Sequence, residues 1–474
     1  MLLASHRASA YLDRLPLTVW RIFVVDWIFQ MASQFSLLTQ RRFLPMFLTQ
    51  FSGAFNDNVF KQAVLMLLTY HAAQQLGLAT SLLNNLAALL FILPFFLFSA
   101  TAGQIADKYE KSMLIRRLKL VEIAVMALAT VGFLMQWYAL LLLALFLMGA
   151  HSSLFGPVKY AYLPQALPTE QLVAGNALFQ SGTSISILTG TMLGGVLILA
   201  GDLEQTLLWT SLTVLMIALL GWLASRQIPA LPANQPSLKI DWNIARTSIN
   251  TIQAAWQLRG VFYAMLGISW FWYYGATFLT QIPEFTKKIL VADAGVVTFL
   301  LTLFTVGVAT GSLLCRRLLN NQVSLKLLPV GLVGLSVFAF DLYFSLSQLP
   351  QVLADPVSQQ ISLQTLSQIL AQPVYWRVFV DLLGLGLFGG FYIVPLYAVM
   401  QVHAPEQRRA QVIAANNILN ALFMVVSAVV AIVVLSMLGY ALPVLFVLTG
   451  VFNLLVGGLV LLKTRQHLGV APIH

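Results

Sequence analysis

Asn56, Asp57, Asn58 and Lys61 stand in the middle of a long apolar run. A carboxylate and an ammonium four residues apart share one face of a helix and can pair. An ionised Asp at the centre of a bilayer costs about 3 kcal/mol or more, so these residues must face the interior of the protein. Such a pair can lock two helices together, or it can open to receive a ligand. Glu122, within a turn of Lys119, has the same two readings. His151 precedes Gly156-Pro157-Val158-Lys159, and a proline in an apolar run predicts a break or hinge. Asn176 and Gln180 lie four apart on one face, and the nearby Gly190 and Gly194 suit close helix packing. Trp270, Trp272, Tyr273 and Tyr274 crowd one turn, as an aromatic belt or as the wall of an apolar cavity. Glu284, Lys287 and Lys288 end that run. Arg377 and Asp381 are a second i, i+4 pair, and Gly384, Gly386, Gly389 and Gly390 after them suggest a bending helix. Asp341, Asn416, Asn417 and Asn420 complete the set, some of them as polar glue between helices. No nucleophile–base or metal constellation accompanies these residues. Cys315 is the single cysteine, so no internal disulfide, metal site or cofactor is expected.

Of the 474 residues, 59% are hydrophobic and 9% charged, against roughly 25% charged in a soluble chain. Only a bilayer can solvate such a chain. Its apolar runs are continuous rather than alternating, which predicts helices and not a barrel. Runs near span length recur at 44–70, 82–103, 115–136, 138–158, 174–200, 207–225, 259–283, 295–315, 325–347, 374–400, 411–437 and 441–462. The expectation is an all-α membrane protein of twelve transmembrane helices.

With the N-terminus in the cytoplasm, cytoplasmic segments hold every Lys and Arg except Lys61, Lys287, Lys288 and Arg377. That asymmetry puts both termini in the cytoplasm. It also accounts for the net charge of +10 without nucleic acid. The polar stretch 227–258 opens with prolines and ends in a surface helix, dividing a half at 43–226 from a half at 259–465. Two six-helix halves around a midplane site are a common transporter build. Residues 1–42 read as an extension carrying an interfacial helix, TVWRIFVVDWIFQM, rather than a signal peptide. Residues 348–373 read as an external loop with a short helix, and 466–474 as a cytoplasmic tail.

Between the second and third runs lies GQIADKYEKSMLIRRLK. Gly103 permits close backbone approach. Asp107 can accept from a helix N-terminus or pair with a base. Lys108, Lys111, Arg116 and Arg117 supply positive charge. The loop resembles the signature of the major facilitator superfamily, with Glu110 at the usual second glycine. That resemblance implies that Gly103, Asp107, Lys108, Lys111 and Arg116 latch the halves on the cytoplasmic side. In the second half GSLLCRRLLNNQ keeps Gly311, Arg316 and Arg317 but puts Cys315 at the acidic position, which predicts a weaker or different latch.

The strings QFSGAFNDNVFKQAV, GQIADKYEKSMLIRRLKLVEI, GAHSSLFGPVKYAYLPQALP, GNALFQSGTSISILTGTMLGG and SWFWYYGATFLTQIPEF resemble, in order, the bacterial lysophospholipid transporter branch of that superfamily. The resemblance implies inward movement of lysophospholipid, such as lysophosphatidylethanolamine, across the bacterial inner membrane by alternating access. It implies a monomer, with a separate acyltransferase or acyl ligase as partner. None of the six histidines begins an H-x-x-x-x-D acyltransferase box. On this reading a zwitterionic head group puts its phosphate on Lys61 and its amine on Asp57. Asn56, Asn58, Glu122, His151, Lys159, Asn176, Gln180, Trp270, Tyr274, Glu284, Arg377 and Asp381 make up the rest of the expected site. The competing reading is an exporter of a drug, siderophore or metabolite on the same scaffold, with buried carboxylates carrying protons.

Overall fold

The computed structural model describes residues 35–69, 80–199, 201–320, 322–347 and 363–468. The interfacial helix expected near the N-terminus lies outside them, as do 348–362 and the tail beyond Leu468. Twelve long helices make up the described structure: α1 Leu44–Leu67, α2 Thr80–Lys108, α3 Lys111–Leu134, α4 Tyr138–Ala166, α5 Thr169–Leu199, α6 Leu203–Ser225, α7 Arg259–Lys288, α8 Ala294–Leu318, α9 Leu328–Ser347, α10 Trp376–His403, α11 Arg409–Ala431 and α12 Leu442–Leu468. A linker helix, Ile244–Gln257, precedes α7, and a short helix, Leu366–Leu370, is closed by a Thr365–Gln368 capping box. Several spans run past their expected ends. α2 extends to Lys108, α5 starts at Thr169 and α12 ends at Leu468. The polar turns at those places continue the helix beyond the apolar stretch.

Nine of the twelve are long and apolar enough to cross a membrane by composition alone. The other three are α1, which carries Asn56, Asp57, Asn58 and Lys61, α3, which carries Arg116, Arg117, Lys119 and Glu122, and α7, which carries Arg259, Glu284, Lys287 and Lys288. The outside of the bundle is apolar: Trp209 and Met216 on α6 and Leu455 on α12 are exposed. That is the arrangement a hydrocarbon solvent demands.

One packing scheme is used twice. α1 lies against α5 and α6, α2 against α4, and α3 against α4 and α6. Six helices later α7 lies against α11 and α12, α8 against α10, and α9 against α10 and α12. The halves meet through α2–α11 and α5–α8, two contacts that the same repeat relates, and more narrowly through α4–α11 and α5–α10.

One expectation about helix breaks is corrected. α4 continues unbroken through Pro157 and Pro164. α10, expected to bend at its glycines, is one continuous helix through them and Pro395. Those glycines form a packing seam. A β-carbon on Gly386 would stand 2.8 Å from Val308 N and 3.0 Å from Gly307 Cα, and one on Gly390 would stand 2.7 Å from Gly311 C. Paired small residues four apart thus bring α8 and α10 into backbone contact. Gly190 does the same for α5, where a β-carbon would fall 2.7 Å from Phe55 O of α1.

Candidate functional site

Asn56, Glu122 and His151 each sit near the middle of their helices, α1, α3 and α4, and all three are buried. Asn56 Nδ2 donates to Glu122 Oε1 at 3.0 Å. Glu122 Oε2 takes the ammonium of Lys119, one turn earlier on α3, and lies 3.6 Å from His151 Nε2. Lys119, counted above among cytoplasmic basic residues, is fully buried inside the bundle. Two glycines make room for it. A β-carbon on Gly221 of α6 would stand 2.6 Å from Lys119 Nζ, and one on Gly53 of α1 would stand 3.5 Å away. Burying the charges together satisfies the electrostatic cost that either would incur alone.

The neighbouring residues on the same two helices face another way. Half-buried Asp57 accepts a hydrogen bond from Ser152 Oγ at 2.7 Å. Its other oxygen, both ring nitrogens of His151 and Asn56 Oδ1 are buried without a hydrogen-bond partner. The expected Asp57–Lys61 pair does not form. Lys61 donates to Asn58 Oδ1 at 3.1 Å and lies 5.5 Å from the centre of the Phe91 ring. Asn58 Nδ2 is spent on Ala54 O. The i, i+4 spacing allowed the pair, but each partner has a nearer neutral group. Lys159, half-buried on α4, lies 5.0 Å from the Tyr160 ring and within electrostatic reach of Asp57.

At about 1.5 Å per residue, Lys61 stands roughly 6 Å from Asp57 along the bundle and Lys159 roughly 10 Å from Ser152 in the opposite direction. Two ammonium groups therefore bracket one carboxylate along the axis. An anionic group with a cationic tail end could bind across that ladder.

From the second half the approach is aromatic. Tyr397 of α10 stacks on Tyr160 at 4.7 Å, and Trp272 Nε1 donates to Tyr397 Oη at 3.4 Å. Trp270 and Tyr274, expected on a cavity wall, instead point into their own half. Trp270 Nε1 donates to Asn453 of α12 at 2.8 Å, and Tyr274 Oη donates to Leu335 O of α9 at 2.8 Å. Helical spacing placed Trp272, not its neighbours, on the facing side.

The remaining residues fall elsewhere. Asn176 forms a reciprocal amide pair with Gln401 of α10, at 2.7 and 3.1 Å, and Gln180 is buried one turn beyond. Glu284 is exposed and takes Lys288 at 2.7 Å. Arg377 does not pair with Asp381. It forms a bidentate ion pair with Asp341 of α9, whereas buried Asp381 accepts from Ser345 at 2.9 Å. Asn176 meets α10 one turn beyond Tyr397, whereas Glu284, Arg377, Asp341 and Asp381 sit toward helix ends, away from the α1–α3–α4 cluster. An apolar groove of about 490 Å³ lined by α9 residues and Phe388 is likewise remote from it.

At the end of the bundle that carries the basic loops, Asp107 accepts from the first backbone N–H groups of α11, Ala410 at 3.1 Å and Gln411 at 3.2 Å. Opposite the dipole of that helix a carboxylate is well placed. A β-carbon on Gly103 would meet Ala414 Cβ at 2.7 Å, so α2 and α11 touch there. Lys108 lies over the Tyr109 ring. Lys111 and Gln165 both donate to Asn234 of the linker, which in turn donates to Glu406 O. Arg116 donates to Ile228 O at 2.8 Å. Glu110 caps α3 through Ser112 N and Met113 N and also accepts from Leu231 N. Burial pushes its carboxyl up, but the hydrogen bonds it accepts prevail and hold it below the ordinary value. The linker is thus laced between the two halves, a role its prolines did not announce.

The sequence pattern of the Major Facilitator Superfamily matches residues 46–358, from α1 past α9. The chain is 27% identical over 374 residues to a protein of Klebsiella pneumoniae named lysophospholipid transporter LplT, covering 77% of this chain and 81% of that one. It is 26% identical over 376 residues to the protein of the same name from Photorhabdus laumondii, with the same two coverages. Among solved structures, the human organic anion transporter MFSD10 superposes with a TM-score of 0.68 at 15% identity, over 89% of this chain and 99% of that one. The transporter FucP in its outward conformation superposes with a TM-score of 0.65 at 13% identity, over 90% and 99%.

Proposed function

The chain belongs to the major facilitator superfamily, and from that membership we propose that it carries lysophospholipid from the outer to the inner leaflet of a bacterial inner membrane. The basic end of the bundle is then the cytoplasmic end, with both termini there. The observation that carries this reading is the contrast across the interface between halves. One side offers Lys61, Asp57 and Lys159 as a charged ladder, and the other offers Trp272 and Tyr397. A substrate with a charged head and an apolar tail fits such a surface. The relatives named lysophospholipid transporter support the same substrate class.

In this mechanism the amine of the head group takes the unpartnered oxygen of Asp57. The phosphate passes from Lys61 to Lys159 as the site turns from one membrane face to the other. Asn56, Glu122, Lys119 and His151 hold α1, α3 and α4 in register behind the ladder. Gly103, Asp107, Lys108, Lys111 and Arg116 close the cytoplasmic end through α11 and the linker.

Uptake of labelled lysophosphatidylethanolamine by proteoliposomes tests the proposal. Time-dependent movement into the inner leaflet is expected, and reduced movement with Asp57→Ala and Lys61→Ala. No lipid movement by the wild-type protein sinks it. Proton-driven efflux of a soluble compound without lipid movement would point to the exporter reading instead.

A further inference from the structure

The linker helix Ile244–Gln257 has three faces rather than two. At about 100° per residue, Thr247, Thr251 and Ala255 form one stripe, and this stripe is buried against the bundle, where the helix packs on α2, α11 and α7. Ile249 and Trp256, 56% and 44% exposed, are spaced by seven and form a second stripe, roughly 150° from the first. Trp242, in the segment just before the helix, is 70% exposed. Arg246, Asn250, Gln253 and Gln257 occupy the sector beside that stripe, and Arg246 is exposed.

We propose that this helix is a lipid-binding element, seated in the head-group layer of the leaflet at the basic end of the bundle and held there by anionic phospholipid. The protein occupies the first face, acyl-chain boundary the second, and water the third. Only Leu258 separates the helix from α7, so it cannot lie far from the membrane boundary. Tryptophans favour that boundary over either bulk phase. The charge is complementary to phosphate. Lys239 is exposed, and the guanidinium of Arg259 lies 4.1 Å from the Trp256 ring centre. Asp241, 4.0 Å from Arg246, is the acidic residue beside them. Basic residues next to an apolar stripe are the pattern by which interfacial helices select anionic surfaces. This inference is independent of what the protein transports.

The test uses the intact protein in nanodiscs of phosphatidylethanolamine, with or without phosphatidylglycerol. Ile249→Cys and Asn250→Cys are each labelled with a fluorophore, Cys315 being buried. Nitroxide lipids should quench the label at 249 severalfold more than the label at 250. Acrylamide in the water should show the reverse order. Equal access of acrylamide to both positions overturns the proposal. So does shielding of 249 that vanishes on dilution to one copy per disc, since a second copy of the chain would then be the occupant. Phosphatidylglycerol should increase the lipid quenching at 249, and Lys239→Glu with Arg246→Glu should abolish that increase. An increase that survives both substitutions overturns the role given to anionic lipid.

Discussion

The two halves repeat one helix-pairing scheme but fill it with different chemistry. In the first half mid-membrane depth holds Lys119, Glu122, His151, Asn56 and Asp57. The matching helices of the second half hold neutral pairs: Trp270 with Asn453, Ser269 with Asn420, and Tyr274 with a backbone carbonyl. Its bidentate charge pair, Arg377 with Asp341, sits part-exposed between the ends of α9 and α10. The second half buries a single carboxylate, Asp381, which accepts from Ser345, and has no buried ion pair among its described residues. Since replacing a buried ion pair by well-packed apolar residues is often neutral or stabilising, the charges of the first half are not needed for stability as such and fit a role in fixing register beside the ladder.

The sharpest way to break this comparison is to strand a charge. Glu122→Ala leaves Lys119 buried and unpaired and should cost about 3–5 kcal/mol. It should appear as a lowered unfolding midpoint in detergent or as lost expression. Replacing Lys119 and Glu122 together with methionine should regain most of that stability. Arg377→Ala should barely move the midpoint, and an equal loss there would erase the distinction between the halves.

The next largest effect is on transport. Asp57→Asn removes a charge-assisted partner of the head group, worth about 1.5–3 kcal/mol. Lysolipid uptake should fall roughly tenfold or more with the protein still folded. Asp381→Asn should transport close to the wild-type rate. A matching defect in both would mean that the carboxylates act by a common route, such as proton carriage.

A smaller effect is expected at the basic end. Asp107→Ala removes the carboxylate that caps α11, about 1 kcal/mol of helix-end stabilisation. Cys315, the counterpart in the second half, donates weakly to Gly390 O, and Cys315→Ala should do less. Spin labels on Glu170→Cys and Arg408→Cys should report a longer, broader distance for Asp107→Ala only.

The smallest effect is one of pH. The hydrogen bonds that Glu110 accepts depress its carboxyl below the ordinary 4.5. Its contribution is therefore full above that ordinary value and disappears as pH falls through the depressed one. Glu110→Gln should lower the unfolding midpoint slightly at neutral pH, and the difference should close in acid. A difference that persists unchanged in acid would show that the carboxyl's charge plays no part.

Much of the architecture was legible because hydrocarbon imposes length and continuity on apolar runs. All twelve spans could be read that way, and the linker and the short external helix from the polar segments between them. Pairing was legible only in part: Lys119 and Glu122, one turn apart, do pair. Asp57 and Lys61 are correctly spaced on one helix, yet Ser152 and Asn58 come from packing and offer closer partners. Lys119 counted toward the cytoplasmic charge because nothing local reveals that Gly53 and Gly221, far apart in sequence, leave a buried space for its ammonium. Pro157 looked like a hinge because proline removes a backbone donor, but α4 carries on through it. The glycines of α10 suggested a bending helix; packing adds that they bring α10 into contact with α8.

The closure between Asn176 and Gln401 has a consequence for energetics under voltage. Moving one elementary charge through the whole membrane field changes the free energy by about 2.3 kcal/mol per 100 mV. An amide pair carries none, and neither do the Ser181–Ala309 bond or the Tyr160–Tyr397 stack beside it. Separating these contacts moves no net charge through the field. The membrane potential then acts on the cycle through the substrate and the charged groups rather than through these contacts, so this neutral closure should open as readily in a de-energised membrane as in an energised one.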